Sequence, residues 1–259
     1  MLRYINTMIL ISCIASFSSL HAEAKSYTSQ YLMSYPITIE KAVTSPLHWQ
    51  TKDFMVAGSI VAIGTGLYFY DEDITDWVQD HREGVPSDVV KVGNFLGNGK
   101  YILPAAGVVW LGGYAVNSDK TRDTGLLLIK SMLIAGGATN VLKYATQRNR
   151  PQEGKGKEFW LPGGFSRYRE SFPSGHATIA FSVASVVSEQ YKDVFWVPIV
   201  AYSGATLTCY SRVHDLKHWS SDVFIGSCIG YFTGKLVMKT TPMLEVSPSL
   251  QGVGFLYKF

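Results

Sequence analysis

The sequence predicts an all-α fold, a helical bundle of about six core helices with a short C-terminal β-hairpin. Six apolar segments, roughly 54–70, 101–117, 125–143, 176–190, 194–211 and 219–237, are each longer than an ordinary strand. Within them apolar and small residues recur at helical spacing, as in Leu126, Ile129, Leu133 and Gly137. After residue 240 the pattern switches to alternation.

The chain opens with Met-Leu-Arg-Tyr, an apolar run from Met8 to Leu20, and Ala22-Glu23-Ala24. A basic start, a hydrophobic stretch and an Ala-x-Ala site predict a secretory signal peptide over 1–24, cut after Ala24. An uncleaved anchor is the rival reading, but the run falls short of the roughly 20 residues that span a bilayer. Export follows in either case. Residues 25–53 read as a polar N-terminal segment, and 54–240 as one helical domain, as 259 residues allow.

Glycine is frequent in the first apolar segment, at Gly58, Gly64 and Gly66, and in the last, at Gly226, Gly230 and Gly234. Every fourth residue being Gly favours close helix packing. Each segment is at or below spanning length, and Lys130, Glu189 and Lys235 interrupt three of them. The stretch Asp71 to Lys100 holds seven acidic and three basic residues, the reverse of what a cytoplasmic loop carries. These features favour a periplasm-facing bundle lying on or partly in the membrane over a six-span protein. The tail 241–259 ends in an alternating run, Gly252 to Phe259, and reads as a hairpin clipped onto the bundle.

Composition narrows the function. Hydrophobic residues make up 47% of the chain and charged residues 17%, with a formal charge of +3 and no basic cluster, which argues against a nucleic-acid partner. Cys209 and Cys228, in apolar helical segments, are expected to be buried thiols without a role.

Three clusters carry chemistry. The first runs from Lys143 through Arg150 to Pro151; on a continuing helix the two cations lie two turns apart on one face, with Pro151 ending the helix, and together they suit an anion. A solvated face would look the same. In the second, Phe172-Pro173-Ser174-Gly175-His176, Ser174 is an N-cap candidate, and the unobstructed Gly175 amide allows backbone N–H groups to close around a phosphate. A merely capped helix is the alternative. The third runs from Ser211 and Arg212 to His218 and Asp222. Four residues apart at a helix start, His218 and Asp222 share a face, so that the carboxylate accepts the imidazole N–H and leaves the other nitrogen free as a nucleophile. A surface ion pair is the bland reading, and no metal-ligand spacing accompanies the pair.

In this order the clusters resemble the phosphatidic acid phosphatase type 2 superfamily, which includes bacterial acid phosphatases and is related to vanadium haloperoxidases. Its pattern of Lys-x6-Arg-Pro, Pro-Ser-Gly-His and Ser-Arg-x5-His-x3-Asp is matched at Lys143 to Pro151, Pro173 to His176 and Ser211 to Asp222. The resemblance covers about 115–240. It implies that Lys143, Arg150 and Arg212, with Ser174 and the Gly175 amide, hold phosphate oxygens. It also implies that His218, oriented by Asp222, attacks phosphorus, and that His176 serves as proton donor and then as base. No metal or other cofactor is implied. The expected partner is a phosphorylated envelope lipid met at the membrane, or a small phosphate ester if the protein is a soluble periplasmic acid phosphatase. A non-catalytic envelope protein would have no need of the full set of motif residues.

Overall fold

The computed structural model describes residues 29–158, 160, 170–249 and 252–258, with side chains as far as residue 242. The expected signal peptide lies outside these residues. The described chain is helical almost throughout. In order the α-helices are α1 (29–44), α2 (Thr51–Phe69), α3 (Asp71–Asp80), α4 (Ser87–Leu96), α5 (Gly99–Ala115), α6 (Asp119–Thr146), α7 (Gly175–Gln190), α8 (Trp196–His214) and α9 (Ser220–Thr240).

The six predicted segments correspond to α2 and α5 to α9. Three further helices lie where the sequence reading placed a polar entry and an acidic loop. The first is α1, and the loop contains α3 and α4. The backbone of Met243–Ser249 runs antiparallel to Gly252–Lys258, but the side chains there lie outside the described residues, so the expected hairpin clipped onto the bundle is not established. Cys209 and Cys228 are free thiols, with Cys209 Sγ 3.2 Å from Ser227 Oγ.

Helix α7 lies at the centre, packed by α6, α8 and α9. One core joins Ala106, Leu127, Leu128, Met132, Val186 and Val237. The second, nearer the chemistry-bearing ends, joins Val78, Ala177, Val213 and Val223. Among the described residues α7 and α9 share the most extensive helix–helix contact, and glycine brings them close. A Cβ at Gly226 would stand 2.5 Å from the Ser174 carbonyl oxygen, one at Gly230 2.2 Å from that of Thr178, and one at Gly234 2.6 Å from Ser185 Cβ. In α2 the glycines differ: nothing lies within 4 Å of a Cβ at Gly58 or Gly66, whereas one at Gly64 would stand 3.1 Å from the Ile225 side chain of α9.

Helix α1 is turned inside out. Its inward residues Tyr31, Ser34 and Thr38 are buried, while Leu32, Met33, Ile39 and Val43 on its outer face are exposed. The inward face is held by polar contacts: Lys130 Nζ donates to the Ser34 carbonyl (3.0 Å), Ser34 Oγ (2.7 Å) and Thr241 Oγ1 (2.8 Å), and Tyr31 OH donates to the Leu126 carbonyl (2.8 Å). Apolar side chains also face outward on α2, α5 and α8, among them Met55, Val61, Val108, Leu111, Ile199 and Val200. Among the described helices α6 is long and apolar enough to cross a membrane, and α2 with α3 would be so together but for a 60° bend between them.

Candidate active site

The C-terminal end of α6, the N-terminus of α7 and the approach to α9 meet at one end of the bundle. The local sequence explains each end. Helix α6 stops because Gln147 adopts a left-handed conformation (φ 47°), so Arg150 lies beyond the helix. This corrects the picture of Lys143 and Arg150 on one continuing helix: the stop comes before Pro151, and the loop brings the two cations together. Helix α7 is capped by Ser174, whose Oγ accepts from the Ala177 amide (3.4 Å). The Ser174 amide donates to the Asp222 carbonyl (3.0 Å), tying the α7 and α9 starts together.

The three cations converge. Lys143 donates to the Glu170 carbonyl, and its Cε lies 3.8 Å from where a Gly175 side chain would begin, beside the α7 amides. Arg212 is held from α4, where Asn94 Oδ1 accepts its Nη1 while Asn94 Nδ2 donates to Asp215 (2.7 Å). Among the described residues the Nε atoms of Arg150 and Arg212 are buried without a hydrogen-bond partner. An arrangement of crowded, partly unpaired cations suits an anion with several oxygens. Burial, with the Arg150 charge beside it, pushes Lys143 down to about 8, and burial brings Arg212 to about 10.

Both histidines feel this field. Burial, then Arg212, Lys143 and Arg150, push His176 down to about 4. Its backbone is hemmed in by the α4–α5 turn, where a Cβ at Gly97 would lie 2.8 Å from the His176 carbonyl. His218 is 3% exposed. Burial and the same three cations hold it well below the ordinary histidine range, so its imidazole is neutral. His218 Nδ1 stands 2.6 Å from the Ser171 carbonyl. A carbonyl only accepts, so Nδ1 carries the proton and Nε2 keeps its lone pair.

That contact corrects the expected pairing of His218 with Asp222. His218 precedes α9, whose N-cap is Trp219, so the two side chains are not stacked on one helical face. Asp222 instead receives the Trp219 amide (2.9 Å) and Ser171 Oγ (2.5 Å) on Oδ2, and Arg148 Nη1 (2.6 Å) on Oδ1. Burial raises Asp222 above the usual carboxylate pKa, with Arg148 acting against it. Sequence reasoning missed Arg148, Ser171, Asn94 and Asp71. Arg148 sat unassigned inside the first cluster; the others had no local signal.

Fold and site together define a helical bundle that gathers three cations and two neutral histidines at one end. The family model for the PAP2 superfamily matches residues 124–245, the stretch that carries all three motif clusters. A lipid A 1-phosphatase of Porphyromonas gingivalis is 27% identical over 143 residues, 54% of this chain and 28% of that protein. The chain thus spans less than a third of the length of that curated relative. The crystal structure of Aquifex aeolicus LpxE matches with a TM-score of 0.50 at 24% identity, covering 65% of this chain and 94% of that one. A transmembrane PAP2-type phosphatidylglycerolphosphate phosphatase from Bacillus subtilis matches with a TM-score of 0.46 at 22% identity, over 81% and 94% of the two chains.

Proposed function

We propose that the protein is a phosphatase of envelope lipid phosphates or diphosphates, working through a phosphohistidine on His218, with residues 54–240 as its catalytic domain. One observation carries the reading: a neutral imidazole whose Nδ1 proton is spent on a carbonyl leaves Nε2 nucleophilic beside three cations. In this reading Lys143, Arg150 and Arg212, with Ser174 and the Gly175 amide at the α7 N-terminus, hold the phosphate. They offset the charge that builds on the equatorial oxygens as phosphorus transfers. The His218 Nε2 lone pair forms the P–N bond as the P–O bond to the leaving group breaks.

His176 gives that oxygen a proton. Burial and the three cations depress His176; a bound phosphate dianion offsets the cations' share, so the substrate itself moves the acid up towards a useful range. Water then attacks phosphorus, His176 takes its proton, and the P–N bond breaks. Asp222 acts at one remove, through Ser171. The outward apolar faces of α1, α2, α5 and α8 support a lipid substrate met at a membrane, and the sequence reading of export supports the periplasmic side.

The test is phosphate release from lipid phosphates in mixed micelles and from nitrophenyl phosphate, with and without EDTA, joined to acid-quench trapping. Lipid turnover that survives EDTA is expected, together with a phosphoenzyme that is absent from His218→Ala. In His176→Ala the phosphoenzyme should accumulate with nitrophenyl phosphate, because that leaving group needs no proton while hydrolysis is slowed about 10² to 10⁴-fold. A phosphoenzyme in His218→Ala, or label on His176, would reverse the roles. Turnover of nitrophenyl phosphate alone would make this a soluble-ester phosphatase.

A further inference from the structure

Behind the site lies a buried network whose central residue the proposed chemistry does not use. At its centre Arg148 is 0% exposed, its guanidinium boxed by the rings of Tyr68 and Trp160 (4.9 Å each) and Trp219 (5.5 Å). Its Nε donates to the Lys157 carbonyl (3.1 Å), Nη1 to Asp222 (2.6 Å) and Ser221 Oγ (2.9 Å), and Nη2 to Asp71 Oδ2 (2.8 Å). Asp71, the first residue of α3 after the bend from α2, is itself saturated. It accepts from Ser220 Oγ (2.6 Å), the Ser221 amide (2.9 Å) and Ser221 Oγ (2.6 Å).

The network reaches the histidine through Ser171. Asp222 takes Ser171 Oγ, the Arg148 carbonyl takes the Ser171 amide (3.0 Å), and the Ser171 carbonyl takes His218 Nδ1 (2.6 Å). Both the side chain and the main chain of Arg148 therefore fix the residue that orients the imidazole. Two buried carboxylates share one guanidinium, which is the planar, multiply donating group such a bridge requires.

We propose that Arg148, anchored by Asp71, is a positioning residue for His218, acting through Asp222 and Ser171. This rests on His218 being the reacting group. It does not involve the phosphate-holding cations, so phosphate affinity and turnover should separate. A displacement of about 1 Å at a reacting group costs on the order of 10²-fold in rate.

The experiment compares wild type, Arg148→Met, Arg148→Lys, Asp71→Asn and the double Arg148→Met/Asp71→Asn, reading kcat, KM and inhibition by inorganic phosphate, with folding checked by thermal melting. Arg148→Met should lose about 10²-fold in kcat, with KM and phosphate inhibition within a few-fold of wild type. Arg148→Lys, with one ammonium to share between two carboxylates, should recover only part of the loss. The double variant decides between positioning and charge balance. If Arg148 merely neutralises Asp71, removing both charges restores kcat; if it positions Asp222, the double stays as slow as Arg148→Met. A restored double, an unchanged kcat in Asp71→Asn, or equal losses in kcat and phosphate binding would overturn the proposal. Should Arg148→Met fail to fold, Asp71→Asn decides alone. A wild type that releases no phosphate from any substrate sinks the phosphatase reading itself, a result distinct from all of these.

Discussion

At the scale of single residues the site is an exercise in holding like charges together, with no counter-ion in contact among the described residues. Lys143 bears the consequence most visibly, since burial and Arg150 bring its ammonium to about 8, near enough to neutrality to limit the free enzyme. Its charged form exists below that value, so kcat/KM should fall as pH rises through about 8. Bound phosphate favours the ammonium, and the fall in kcat should come at higher pH. In Lys143→Arg, whose guanidinium keeps its proton, the alkaline limb of kcat/KM should disappear from this range, although the rate itself drops. Steady-state profiles from pH 6 to 10 check this, and a limb still at 8 in Lys143→Arg would assign it elsewhere.

The motif residues were legible in the sequence because their spacing is local: Ser174 caps α7 as read. What was not legible was contact across the fold. Spacing alone paired His218 with Asp222, whereas Ser171, supplied by a segment 47 residues away, takes the imidazole proton. Asn94, which sets Arg212, comes from α4, and no pattern within α8 announces it.

At the scale of elements, periodicity found α2 and α5 to α9 but passed over the ten-residue α4, although its buried residues Val90 and Gly93 are apolar. It missed α1 because its inward residues are Tyr31, Ser34 and Thr38, so the helical repeat is written in hydroxyl groups. It passed over α3 because Asp71 and Thr75 share its buried face with Val78. The α9 glycines form the close packing expected of them, and of the three in α2 Gly64 packs against α9 while Gly58 and Gly66 do not.

The two kinds of glycine should respond oppositely to alanine. At Gly58, where the added methyl meets nothing, the change should stabilise by about 0.5–1 kcal/mol through helix propensity. At Gly230 the methyl meets the Thr178 carbonyl, and overpacking should cost about 1–3 kcal/mol. Activity should fall with it, because α7 carries His176 and α9 follows directly on His218. Thermal melting of the two variants reads the sign, and a stabilised Gly230→Ala would show that the seam is looser than its geometry.

On the scale of the whole molecule, polar residues collect within and at the catalytic end, while apolar side chains cover much of the outside. Helix α1 states this most sharply, with Lys130 and a row of hydroxyls inside and Leu32, Met33, Ile39 and Val43 outside. Such a helix has its preferences reversed with respect to water, and collapse in plain buffer would reward rotating it about its axis. Chain diluted from denaturant into buffer should therefore gather into inactive, aggregated forms with the outer face of α1 turned inward. The same chain diluted into detergent micelles should recover activity, because the micelle takes the outer face and leaves Lys130 its three oxygen partners. Equal recovery in both would mean that the outer face needs no lipid to guide it. Otherwise the medium in which the chain folds becomes part of the instruction that selects its native form.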